Sequence, residues 1–146
     1  MDRVEKARSL FLEGYNCSQA VVGAYCDLVG MEFEAAMALA SSFGGGMGRL
    51  REVCGAVSGI FILVGLKYGY TTPTDKTAKT AHYKRIQDIA DRFRQEHGSI
   101  ICRELLRRKR ESFVHEDRTE AYYRERPCLL MVESAAKIVQ DIFDNN

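Results

Sequence analysis

The sequence predicts an all-α protein, a single helical domain of about five to seven helices around a buried, glycine-rich central helix. Three observations carry that expectation. Apolar residues recur at helical spacing in most segments, no segment alternates convincingly as a strand, and an uncharged run from Val53 to Leu66 follows a glycine-rich loop. That run is long enough for a buried helix and too short for a bilayer span. Gly55/Gly59 and Gly65/Gly69 each lie four apart, so each pair shares a helix face and leaves a flat strip for close packing.

Taken in order, Val4, Ala7, Leu10 and Phe11 mark a first helix that stops near Gly14. Asn16 is a good N-cap for a second helix carrying Ala20, Val21, Ala24, Tyr25, Leu28 and Val29, with Gly30 as its exit. Glu32 to Phe43 is alanine-rich and reads as helix. Gly44-Gly45-Gly46-Met47-Gly48 follows as a loop able to take positive φ, then the central helix from about Arg51 to Tyr68. Thr71 to Asp75 is a break and a new start, and the period holds from Asp75 to Glu96, with Gly98 as the stop. Ser99 caps a short helix from Ile100 to about Arg110, and Ser112 to Tyr123 reads as a charged loop. Pro127 occupies a first-turn position, opening a last helix with Leu129, Val132, Ala135, Ala136, Val139 and Phe143 on one stripe.

Composition narrows the function classes. The 146 residues are 46% hydrophobic and 28% charged with a net charge of +1, which is ordinary globular composition without a global field toward nucleic acid or anionic membrane. The start, Met1-Asp2-Arg3-Val4-Glu5-Lys6, is charged and has no apolar signal core, so a cytoplasmic location is expected. The basic tetrad Arg107-Arg108-Lys109-Arg110 sits beside Glu104 and Glu111 without interleaved aromatics and reads as a solvated helix face. His82, His97 and His115 share no ligand spacing; His82 reads as a core residue and His97 as a C-terminal cap partner.

The chemistry-bearing residues are the cysteines, five in number and none spaced as C-x-x-C. Cys17, Cys54, Cys102 and Cys128 each fall at an expected helix start, where unpaired N–H groups and the macrodipole favour a thiolate and lower its pKa. Cys26, nine residues after Cys17 on the opposite side of one helix, reads as an inert buried residue. Since cysteine is often simply buried, the simplest alternative is a helical interaction module with structural cysteines. Gly44, Gly45, Gly46 and Gly48, with Arg49 and Arg51, would suit an anion at a helix start, but they match neither a Walker A loop nor a strand–GxGxxG–helix unit.

Asn16-Cys17-Ser18-Gln19-Ala20, Cys54-Gly55-Ala56-Val57-Ser58-Gly59, Ile101-Cys102-Arg103 and Arg126-Pro127-Cys128 together resemble the redox-active four-cysteine family labelled by its pattern C_GCAxxG_C_C, over about Arg8 to Ile142. The resemblance implies a helical protein of this size with redox cysteines at Cys17, Cys54, Cys102 and Cys128, Cys26 standing outside the pattern. Two chemistries suit four converging thiolates. Pairs would cycle between dithiol and disulfide, with Cys54 attacking and Cys17 or Cys128 resolving. Alternatively, Cys17, Cys54, Cys102 and Cys128 would hold an iron–sulfur cluster or zinc, the glycine loop turning N–H groups toward it. The expected partner is a redox partner or small molecule, with no nucleic acid and no membrane span, and the flat glycine strip leaves a homo-oligomer open.

Overall fold

Local caps set where the helices begin and end in the computed structural model, which describes residues 2–106 and 127–145. Among these residues the chain forms seven helices: α1 Arg3–Glu13, α2 Cys17–Tyr25, α3 Phe33–Ala40, α4 Gly55–Tyr68, α5 Lys76–His97, α6 Cys102–Leu106 and α7 Cys128–Asp144. The Asp2 carboxylate accepts from the Glu5 N–H at 2.8 Å to open α1, and Gly14, at φ 115°, closes it. Asn16 and Gln19 form a reciprocal capping box at the start of α2. The Asp75 carboxylate accepts from the Ala78 N–H to start α5, and Gly98 at φ 88° ends it. Apart from the Asp2 cap, these starts and stops fall where the sequence places them. The second helix tightens to a 3-10 turn at Cys26–Val29 and the third at Ser41–Phe43. The tetrad 107–110, the stretch 112–123 and His115 lie outside the described residues.

The all-α class holds: among the described residues the only β-type pairing is one isolated antiparallel bridge, Val53 to Ile101. No helix among them is long and apolar enough to cross a membrane.

The interior is built around α2 more than around the glycine-rich helix. Every residue of α2 except Gln19 is buried, and α1, α3, α4 and α7 all pack on it. Helix α4 buries Gly55 to Ile60, Leu63 and Val64, whereas Leu66 near its end is exposed. Its glycines divide in the same way. A Cβ at Gly59 would stand 3.0 Å from the Val21 Cβ, so this glycine lets α4 close onto α2; Gly65 faces open space, and Gly69 lies beyond the helix. The flat strip expected at Gly65/Gly69 is therefore not a packing surface within the described chain. The start of α4 also differs. Residues 51–53 are not helical, because Glu52 and Cys54 are tied to the 100–102 segment, and the helix begins at Gly55.

Tyr25 fastens α2 to α7: its hydroxyl donates to the Ala136 carbonyl at 2.7 Å and its ring meets Phe143 edge-on. Phe11, Tyr25, Ile60, Leu63 and Phe93 are fully buried, each worth about 1.5–3 kcal/mol relative to exposure. Helix α5 is joined to α7 by Arg92 to Asp141 at 2.6 Å and His97 to Ser134 at 2.8 Å. His97 thus bridges two helices from the last turn of its own. His82 is half-buried, its ring against Tyr70 at 6.1 Å.

Candidate functional site

Two non-local contacts create the site, and the first is a short antiparallel ladder. The Cys54 N–H donates to the Ile100 carbonyl at 2.8 Å, and the Cys102 N–H donates to the Glu52 carbonyl at 2.6 Å, on either side of the Val53–Ile101 bridge. Cysteines nearly fifty positions apart are thereby carried on adjoining segments. Arg103 closes the ladder from outside, donating to the Arg51 carbonyl at 3.0 Å and pairing with the Glu52 carboxylate at 3.2 Å.

The second contact is made by the glycine loop. Gly45, Gly46, Met47, Gly48 and Arg49 all have positive φ, between 59° and 70°, and Arg51 joins them at 61°. Such a run winds the backbone left-handed, at a cost of about 1–2 kcal/mol for each residue with a side chain. Backbone bonds hold it: Glu52 N–H to the Gly46 carbonyl at 2.9 Å and Arg51 N–H to the Gly45 carbonyl at 3.3 Å. Gly44 keeps an ordinary φ of −67°, so three of the four loop glycines use the left-handed region. Gly46 is doubly constrained, because a Cβ there would lie 2.6 Å from the Cys102 Cβ. At the start of α4 a Cβ on Gly55 would lie 2.5 Å from the Cys17 sulfur. These glycines are what lets the cysteines approach the backbone so closely.

The result is one cavity of about 290 Å³ whose lining includes Cys17, Cys54, Cys102 and Cys128 together. Each comes from a different helix start: Cys17 is the first residue of α2, Cys54 the N-cap of α4, Cys102 the first residue of α6 and Cys128 the first of α7. Pro127 sits one position earlier than expected, as the N-cap of α7. Cys17, Cys54 and Cys102 are 9%, 6% and 8% exposed, and Cys128 is half-buried. All five cysteines stand as thiols. Gly44, Gly45 and Gly48 also line the cavity, whereas Gly46 backs onto Cys102. Cys26 is excluded; its thiol donates to the Gly23 carbonyl at 3.6 Å at the other end of α2.

Electrostatics divide the four. Burial pushes the Cys54 thiol well above its ordinary value, and the neighbouring Cys17 and Cys128 push the same way. The N–H groups of Ala56 and Val57 act in the opposite direction but do not prevail. The lowering expected from the helix start is thus overturned at Cys54 by desolvation. Cys102 has a different neighbour: the Arg51 guanidinium, 3% exposed, donates toward its sulfur at 3.7 Å. In the sequence Arg51 stands out only as part of an anion cradle, and nothing local marks it as turning onto a cysteine. Asn16 does more than cap α2: its amide also donates to the Ser41 carbonyl at 3.2 Å and its side chain fills the space over Gly44. Among the described residues, no three cysteine, histidine, aspartate or glutamate side chains are grouped closely enough to hold one metal ion.

No curated protein and no solved structure is significantly similar to the chain. The family model described as "Putative redox-active protein (C_GCAxxG_C_C)" matches residues 15–142, a span that contains all four cavity cysteines, and the chain belongs to that family.

Proposed function

We propose that the chain is a thiol-dependent oxidoreductase whose cavity cysteines cycle between dithiol and disulfide. The observation that carries this reading is the lining of one cavity by Cys17, Cys54, Cys102 and Cys128. One thiolate attacks a sulfur of a disulfide substrate, forming a mixed disulfide and releasing the first substrate thiol. A second cavity thiol then attacks the mixed disulfide, closing a protein disulfide and releasing the second substrate thiol. Two electrons pass from protein to substrate, and each proton lost by a cysteine ends on a released thiol. Cys17 and Cys54 suit the stored disulfide: the Cys17 sulfur lies over Gly55, next to Cys54 in the chain, and Cys17 acts on the Cys54 thiol more strongly than Cys128 does.

The test is a thiol count on protein purified without oxygen, before and after mild oxidation, with iron, zinc and acid-labile sulfide measured in parallel. Thiols should be lost in pairs and recovered with reductant, and Cys54→Ser should remove one pair. Near-stoichiometric metal held by the four cysteines would overturn the dithiol reading in favour of a cluster or zinc centre. Thiols indifferent to mild oxidant would leave only a helical interaction module.

A further inference from the structure

Building on the dithiol reading, we propose that Cys102 is the sulfur that attacks first and that Arg51 is the positioning residue that makes it so. A guanidinium keeps its charge at any accessible pH, and a cation held against a sulfur favours the thiolate, the nucleophilic form. Arg51 reaches the Cys102 sulfur at 3.7 Å in a nearly dry setting, where such an interaction is stronger than in water. Its backbone is fixed at both polar atoms, the N–H on the Gly45 carbonyl and the carbonyl on Arg103. The left-handed loop therefore has a specific product: it turns the Arg51 side chain inward onto Cys102. Without glycine at position 46 that turn would collide with Cys102 itself, since Gly46 backs directly onto its Cβ.

Other charged or titratable groups also lie around Cys102. Arg103, on its own helix, is engaged with Glu52 at the outer face. Arg49 lines the same cavity, and among the described residues the other titratable groups there are the thiols of Cys17, Cys54 and Cys128. Cys54 has backbone N–H groups and other thiols for company. Of the two ladder cysteines, Cys102 is the one with a cation on its sulfur. In the reaction, the Cys102 thiolate forms a bond to one sulfur of a small disulfide as that disulfide's own S–S bond breaks. The released thiolate takes up the proton that Cys102 gave. Cys54 then displaces the remaining substrate sulfur from Cys102, and Cys17 attacks Cys54 in turn, releasing Cys102 as a thiol and leaving the Cys17–Cys54 disulfide.

The experiment is competitive labelling of the reduced full chain with limiting iodoacetamide, read cysteine by cysteine by peptide mass spectrometry. Cys102 should be labelled first. Arg51→Met should slow labelling of Cys102 by about tenfold, with the order among the other cysteines unchanged, and Arg51→Lys should restore most of the rate. If Arg51→Met fails to fold, as judged by circular dichroism, Arg51→Gln replaces it. Another cysteine labelled first in the unsubstituted chain, or an unchanged Cys102 rate in the folded neutral variant, overturns the proposal. Labelling order does not depend on disulfide formation, so this outcome is separate from the paired thiol loss that tests the dithiol reading.

Discussion

The two ends of α2 each hold a buried cysteine, and their surroundings differ in kind. At the N-terminal end, Cys17 opens onto a cavity shared with three other thiols, a left-handed loop and a buried arginine. At the C-terminal end, Cys26 sits in a 3-10 turn with its thiol on the Gly23 carbonyl, and burial pushes that thiol up. Arg3 and Asp27 close this end with a two-pronged ion pair at 2.5 and 2.9 Å. Burial is thus similar at the two ends, yet chemistry is assembled at only one. What distinguishes them is a run of left-handed backbone that includes residues with side chains: it brings chain segments together where sulfurs converge, whereas the Cys26 end has only the single capping Gly30 in that conformation.

The comparison is broken most severely by adding one methyl group at the cavity end. Gly55→Ala would place a carbon 2.5 Å from the Cys17 sulfur and 2.7 Å from the Phe43 carbonyl, atoms that cannot both retreat. Destabilisation of about 1–3 kcal/mol is expected in urea unfolding, together with slower paired loss of thiols as Cys17 is displaced. The same change at Gly65, on the same helix but facing open space, should stabilise by about 0.5–1 kcal/mol, because only helix propensity is altered. Similar outcomes at both positions would show that the close approach at Gly55 is not required.

Removing the thiol at the other end should matter less. Cys26→Ala deletes a buried sulfur and one weak bond to Gly23, for a loss of about 1 kcal/mol. The number of thiols lost on mild oxidation should stay the same, and a fall in that number would make Cys26 part of the redox set.

What was legible in the sequence follows the same division. Asn16, Asp75, Gly14 and Gly98 were readable as helix boundaries because caps are local, satisfied within three or four residues. The four cysteines were readable as helix-start residues for the same reason. Which neighbours they would meet was not. The 52–54 and 100–102 pairing joins segments that carry no strand pattern, and its two cross-bonds displaced the expected start of α4 from Arg51 to Gly55. Positive φ at Met47, Arg49 and Arg51 runs against the preferences of those residue types, so only the folded loop reveals it. The electrostatic expectation failed at Cys54 because a helix start lowers a thiol's pKa where solvent reaches it, whereas here desolvation dominates.

The smallest expected effect sharpens the comparison from its inert end. The Arg3 hydrogen bond, ahead of the charge itself, holds the Asp27 carboxyl below its ordinary value. A carboxyl whose folded value is lowered adds stability that is present above its unfolded value near 3.8 and lost as pH falls through the lower folded value. Asp27 is 57% exposed and Arg3 29%, so solvent screening limits the pair to no more than about 1 kcal/mol. Urea unfolding of the unsubstituted chain and of Asp27→Asn should therefore differ slightly at neutral pH and converge as pH is lowered below 3.8. Thiol oxidation should be the same in both, because the ion pair and the cavity lie at opposite ends of α2. A gap that widened in acid would reverse the assigned sign, and a change in thiol oxidation would mean that the two ends of α2 are coupled.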